Sequence, residues 1–510
     1  MANRARDNAD EPADFETAIA ECGFGLFNVF ILCSAVPCLT AMVFSASALS
    51  YVMPSAECDL DLSIVDKGML HAVTYAGMII SAVPWGFIAD TIGRRPVLIS
   101  GGWLDGFFVL CASLSQNTAQ LMAFKFFDGL IICGPFAVVV SYLAEFHGKK
   151  HRPYIMLFVG LCVSIGSMIL PLLSYVLLPV PILFTVSSMK FRTWQVFLVV
   201  SSAPSLLSGF LHIFLPESPK FLMSQGNYKK ALDSLQRIYK LNKRKSKESY
   251  PIKHLTDPTP DRSDDIDGTG RPSTLQERFS RAKRKFIDGF KQLKPMFSSP
   301  YLAISLQVYC LHFCQIMCVN SVRLWLPQIF ATMNAMDTLG ANDTSMCAVL
   351  EHNANAKSMD EEEKRVECAL VGRRSLVMGY QNLSWNWSGR FSDHFSLNEI
   401  PSGLELHTDL YFVKTSLVTM MVSAVYLTMM GICATTIIGM SVVIFPTLMR
   451  TMVLLLIMTF GRLGSVSGNM LLPVFMQLSC LAPFLWLCSL MSIAFLFSLF
   501  LKVDDEQSLN

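Results

Sequence analysis

Gly86-Phe-Ile-Ala-Asp90-Thr-Ile-Gly93-Arg94-Arg95 is the stretch whose reading decides the fold. An apolar run is halted there by an acid, a glycine and two arginines, and a second apolar run follows. Glycine lets two helices approach closely, an acid can pair with an arginine, and paired arginines resist entry into a bilayer. The stretch reads as a tight hairpin between two membrane helices, on the side that retains positive charge.

Composition supports a lipid setting. Of the 510 residues, 52% are hydrophobic and only 16% charged, against about 25% charged in soluble chains. Mean hydropathy is +0.44. The formal charge of +2 says little as a total; its distribution says more. Residues 1–24 are polar and lack the apolar core of a cleavable signal, so the first membrane helix is expected to serve as an uncleaved anchor. A crossing needs about 20 apolar residues. Runs of that kind lie near 27–53, 69–89, 97–116, 120–143, 155–179, 194–215, 302–330, 416–440, 452–474 and 480–501, giving ten expected spans. Most cysteines fall inside these runs (Cys33, Cys38, Cys133, Cys162 and others), where they serve as small packing residues. Cys310, Cys314 and Cys318 follow helical spacing, and no metal site is expected.

Lysine and arginine set the orientation. Arg94 and Arg95, the run Gly148-Lys-Lys-His-Arg152 and the long region 217–300 fall on one side, expected to be the cytoplasm together with both termini. The opposite side takes residues 54–67 and region 331–409. The latter has glycosylation sequons at Asn342, Asn382 and Asn386. Cys347 and Cys368 share that loop, either as a disulfide or as two free thiols.

The expected organisation is a cytoplasmic segment 1–24, a six-helix bundle 25–216, a cytoplasmic loop 217–300, a seventh helix 301–330, a luminal or extracellular loop 331–409, the remaining helices 410–501 and a tail 502–510. Within the cytoplasmic loop, 226–243 and 274–293 read as basic amphipathic helices, the first with a stripe of Leu232, Leu235, Ile238 and Tyr239. They suit either the anionic inner leaflet or a solvated lid. The linker between them is rich in proline and aspartate and reads as disordered.

The pattern G-x-x-x-D-x-x-G-R-R at residues 86–95 resembles the signature of the major facilitator superfamily, where it joins helices 2 and 3 in the cytoplasm. Pro216-Glu217-Ser218-Pro219-Lys220 resembles a mark of the superfamily's sugar-porter-like branch, and Phe445-Pro446-Thr447 with Arg450 resembles a mark that follows helix 10. Pro54-Ser-Ala-Glu-Cys-Asp59, Tyr142-Leu-Ala-Glu145-Phe-His and Arg323-Leu-Trp-Leu-Pro-Gln328 are similar to stretches of the synaptic vesicle glycoprotein 2 group, its insect-type members in particular.

The resemblance implies an all-α polytopic membrane protein of two helical bundles that rock about a central site. It further implies that Gly86, Asp90, Gly93, Arg94 and Arg95 form a conformational latch, with Asp90 near the positive end of the family's eleventh helix at about Thr451. Glu145 with Arg152, together with Glu217 and Arg450, would be companion cytoplasmic clamps. The family has twelve helices and repeats its signature between helices 8 and 9. Here no second copy stands, only the fragment Gly389-Arg390, and residues 410–445 read as one long tilted helix. A ten-helix variant with an incomplete second half is therefore expected.

Charges inside spans carry weight, because each costs at least about 2.5 kcal/mol at mid-bilayer. Lys125 takes the place of the family's helix-4 arginine, with Asp128 three residues on. The pair either lines the central cavity or snorkels near an interface. Asp105 and Arg462 are weaker candidates. The seventh span offers Gln307, Tyr309, His312, Gln315, Asn320 and Trp325. Such side chains suit an organic solute and equally suit helix packing. No acid lies between Phe24 and Pro54, so the first span gives no support to proton coupling.

The expected function is secondary transport of a small organic solute. The alternative is a non-transporting membrane protein of the same fold with a trafficking or scaffolding role. No cofactor, nucleic acid or enzymatic chemistry is expected, and the chain is read as a monomer in the plasma membrane or an intracellular vesicle.

Overall fold

A bilayer offers the backbone no water to bond, so each apolar run must satisfy its own N–H and C=O groups by coiling. The structure is a computed structural model that describes residues 13–180, 182–186, 189–255, 301–338, 416–445, 450–479 and 481–499. Among the described residues nine helices are long and apolar enough to cross a membrane, and Ala482–Ser498 is a shorter apolar helix. The expected spans are all represented.

The chain begins with α1 (Phe15–Cys22), α2 (Leu26–Leu60), α3 (Ile64–Ile92), α4 (Arg94–Ser113), α5 (Thr118–Glu145) and α6 (Arg152–Leu177). A hairpin of β1 (Leu183–Val186) and β2 (Met189–Arg192) follows, pairing Leu183 with Arg192 and Val186 with Met189. The sixth crossing is α7 (Thr193–Ser201) running into α8 (Ala203–His212). The short α9 (Pro219–Ser224) and α10 (Tyr228–Lys243) stand outside the spans. The second half consists of α11 (Leu302–Thr338), α12 (Ser416–Ile444), α13 (Arg450–Leu478) and α14 (Ala482–Leu499).

In the first bundle α3 packs on α5, and α4 packs on α5 and α8. Glycine makes the α3–α5 approach possible. A Cβ on Gly129 would collide with the Thr74 carbonyl, and one on Gly77 with the Phe126 carbonyl. In the second half α11 packs on α13, α12 and α14.

Four expectations need correction. Residues 54–59 are not loop: α2 runs to Leu60 with Pro37 and Pro54 inside it, and Asp61 ends it in the left-handed region at φ 50°. The seventh helix likewise continues past 330 to Thr338. The hairpin was not foreseen, because it is too short to leave a readable alternation. Finally, the apolar stripe of α10 faces neither lipid nor water. Ala231, Leu235, Ile238 and Tyr239 are buried with Phe15, Ala18, Ile19 and Cys22 of α1 and with Tyr250, Ile252 and Leu255. Burial in that seam pushes the Cys22 thiol up to about 12.

Asn242 ties this seam to the start of α2. Its side chain accepts from the Phe27 N–H at 3.0 Å and donates to Gly23 O at 3.0 Å and Asn28 Oδ1 at 2.8 Å. Asn242→Ala strands these partly buried groups, at a cost of about 1–3 kcal/mol. We expect faster hydrogen exchange across residues 15–28 and a lower thermal midpoint. Unchanged exchange there would show that Asn242 does not hold the segment.

The second basic helix (274–293), the sequons at Asn342, Asn382 and Asn386, and Cys347 and Cys368 lie outside the described residues.

Candidate functional site

Glycine at position 93 turns the chain between α3 and α4 at φ 114°, a conformation that side chains rarely adopt. The turn leaves the first N–H groups of α4 without helical partners. Glu217 supplies the acceptor. Its carboxylate takes the N–H of Arg94 at 3.1 Å, of Arg95 at 3.3 Å and of Ser218 at 2.9 Å. Burial raises the pKa of Glu217, and these N–H bonds and the Arg94 charge oppose the rise.

The arginines turn into the same bundle. Arg94 pairs with Asp90 at 3.1 Å and with Glu145 at 3.4 Å, and its guanidinium lies 5.1 Å from the centre of the Phe221 ring. Arg95 donates to Ile213 O at 2.7 Å. The motif thus knits together the ends of α3, α4, α5 and α8. The expected pairing of Glu145 with Arg152 is not formed. Arg152 reaches Glu16 of α1 at 2.7 Å instead, because docking of α1 brings that acid closer.

The Asp90 side chain, expected to meet the start of α13, is 68% exposed. A Cβ on Gly86 would meet nothing within 4 Å. The side chains of Arg450 and Thr451 lie outside the described ones.

The other end of the two bundles is closed. Gly68 abuts Asn469 and Pro473 of α13. The His71 and Trp325 rings lie 5.7 Å apart, Arg323 donates to the Tyr75 hydroxyl at 3.1 Å, and Arg462 donates to Met78 O at 3.3 Å. Lys67, almost fully buried, pairs with Glu57 at 2.5 Å, and Gln328 donates to Glu57 at 2.9 Å. These contacts between α3 and the second half fall between Gly68 and Met78, the half of the helix remote from the motif. Among the described residues, these contacts join the two halves at the end remote from the motif.

The cavity candidates are distributed differently from expectation. Lys125 and Asp128 pair inside the first bundle, 1% and 0% exposed, with Lys125 also donating to Ser45 O at 2.9 Å. Both side chains are sealed from solvent within the bundle. Asp105 is equally buried and accepts from Ser205.

On α11, Gln315 donates to Met430 O, Asn320 donates to Ser465, and Tyr309 stacks on Phe460 with ring centres 5.0 Å apart. These three join helices, Trp325 belongs to the closed end, and only Gln307 among the α11 candidates is half-exposed. Sequence reasoning passed over His71, and quoted Glu57, Gln328 and Arg323 only within family stretches and Lys67 only as the bound of a loop. Arg323 could have been found as an uncompensated charge in the seventh span. Glu57 and Lys67 could not, because their pairing depends on α2 continuing through Pro54.

Comparison with known proteins gives a consistent picture. The sequence profile of the Major Facilitator Superfamily matches residues 35–348. Synaptic vesicle glycoprotein 2A of Rattus norvegicus is 26% identical over 346 residues, 66% of this chain and 46% of that protein. Synaptic vesicle glycoprotein 2C of Mus musculus is 30% identical over 246 residues, 47% of this chain and 33% of that protein. The chain thus matches less than half the length of these curated relatives. Among solved structures, the inward open conformation of the xylose transporter XylE from E. coli aligns with a TM-score of 0.59 and 14% identity, over 94% of this chain and 99% of that one. A bacterial homolog of the human lysosomal transporter Spinster, inward-facing and unoccupied, aligns with a TM-score of 0.54 and 12% identity, over 94% and 96%.

Proposed function

The chain belongs to the Major Facilitator Superfamily, and from that premise we propose that it is a secondary transporter of a small organic solute, held here with its motif end open. One observation carries the reading: contacts between the halves cluster at the end remote from Asp90, which is itself exposed. Alternating access needs two such ends that close in turn. In the other state the motif end shuts, and Asp90 meets the positive end of α13 near Arg450. Arginine and lysine place the motif end in the cytoplasm. The likeness to synaptic vesicle glycoproteins favours a vesicle membrane.

Uptake of a panel of organic solutes into proteoliposomes tests this reading. Saturable uptake of at least one solute, reduced by Asp90→Asn, is the expected result. Equal, non-saturable leakage in both proteins would reject transport and leave a trafficking or scaffolding role.

The closed end can be tested separately. Glu57→Gln removes the charge facing buried Lys67. Breaking a buried pair costs about 3–5 kcal/mol, but Glu57 is about a third exposed and solvent screens the pair. We expect about 1.5 kcal/mol of destabilisation of this end, on the order of a tenfold shift in population. Hydrogen exchange should rise in the first half of α3 and spare residues 86–95. A rise spread over both ends would contradict the assignment.

A further inference from the structure

The core of the first bundle holds more carboxylates than cations. Asp105 on α4 and Asp128 on α5 are both fully buried, and the Asp105 carboxyl lies within hydrogen-bonding reach of that of Asp128. Lys125 is the cation beside them, already bound to Asp128 and to Ser45 O. The other groups facing Asp105 are neutral. Ser205 of α8 donates to its Oδ2, and the Cys38 thiol of α2 neighbours both Asp105 and Ser208. Asp105 Oδ1 and Asp128 Oδ1 are buried without a donor.

Two carboxylates in contact can share a hydrogen bond only if one carries a proton. Ionising both beside one ammonium would leave a net negative charge in a sealed, membrane-embedded core. A proton removes that charge and supplies the missing donor. A metal ion fits poorly, since Lys125 already occupies the cation's place against Asp128.

The pair also has a polar approach from the motif end. Ser205, Ser208 and His212 follow i, i+3, i+7 spacing and so share one face of α8. All three are buried, and His212 Nδ1 lies 2.7 Å from Ser208 O. His212 Nε2 has no partner, and the next residue, Ile213, carries the carbonyl bound by Arg95. The face therefore leads from the carboxyl pair to the knot at the motif.

We infer that Asp105 and Asp128 together hold one exchangeable proton, supplied from the motif end along the Ser205–Ser208–His212 face of α8. The balance is simple: a hydronium ion at the aqueous side gives up one proton and becomes water, and one carboxylate becomes a carboxylic acid. Binding requires no solute. Only the further consequence, that protonation biases which end of the carrier is open, rests on the transport reading.

The test is infrared titration of the full-length protein in lipid nanodiscs, following the carboxylic-acid C=O band. The wild type is expected to show a protonated aspartate at neutral pH. Asp105→Asn and Asp128→Asn should each abolish it, because either leaves one carboxylate for one ammonium. Absence of the band, or its persistence unchanged in both variants, overturns the inference. Should those variants not fold, Ser205→Ala removes only the hydroxyl donor. It is expected to shift the band frequency, and an unshifted band overturns the assignment to Asp105. His212→Phe should slow hydrogen–deuterium exchange of the band without removing it, and an unchanged rate rejects the route. Failed solute uptake with the band intact would count against transport alone and leave the proton site standing.

Discussion

Gly129→Ala is expected to prevent folding of the first bundle, whereas Gly86→Ala leaves the fold intact. Gly86 belongs to the signature at 86–95, yet Gly129 is the one held in close packing. At Gly129 an added methyl would meet the Thr74 carbonyl inside van der Waals contact. Its neighbour is backbone, which cannot move aside as a rotamer. Overpacking typically costs about 1–3 kcal/mol and more where nothing can yield. A loss at or above the top of that range is a large share of a stability of about 5–15 kcal/mol. We expect little monodisperse protein and a sharply lowered thermal midpoint. Gly86→Ala meets open space and should fall within about 0.5 kcal/mol of wild type. On the transport reading proposed above, its expected effect is on flux, since that surface would close in the other state. Equal stability losses at both positions would contradict the packing argument.

Glu217→Ala is expected to undo the knot at the motif. The N–H groups of Arg94, Arg95 and Ser218 would lose their shared acceptor at a partly buried site. An unsatisfied buried donor costs about 1–3 kcal/mol, so the set amounts to about 3 kcal/mol even if water relieves part of it. The midpoint should drop, with exchange rising in residues 86–97 and 213–224. Glu217→Gln keeps one acceptor oxygen and should lose about half as much.

The pH dependence follows from the raised pKa of Glu217, caused by burial. Between the ordinary glutamate value and the raised one, the folded chain binds more protons than the unfolded chain. Stability from this group is thus full below the ordinary value and declines as pH rises through the raised one. Gln cannot titrate, so the difference in midpoint between wild type and Glu217→Gln should shrink in favour of the variant across that window. Parallel pH profiles would refute this contribution.

Much of the fold was legible because lipid imposes a length and a composition on each crossing. The stretch at 86–95, the marks at Glu217 and Phe445 and the ten apolar runs required no partner to be recognised. Pairing was less legible. Glu145 and Arg152 stand seven residues apart with opposite charge, and their pairing was a reasonable expectation. It failed because α1 folds back to bring Glu16 to Arg152. Lys125 and Asp128 were found as a pair, since i, i+3 spacing puts them on one helix face. Whether that face met a cavity or a neighbouring helix depended on α2, α4 and α8. The pairing of Glu57 with Lys67 escaped notice because a proline appeared to end the helix before them.

The sequence by itself determined the crossings, the side that carries the arginines and the family signature. Each depends on local chemistry: apolar length, charge against lipid, and glycine at a turn. Only the tertiary structure decided which end is closed, which carboxylates share a core, and that the amphipathic α10 is covered by α1. Those outcomes depend on surfaces far apart in the chain. Burial and the choice of a partner are properties of the packed bundles and belong to no single helix.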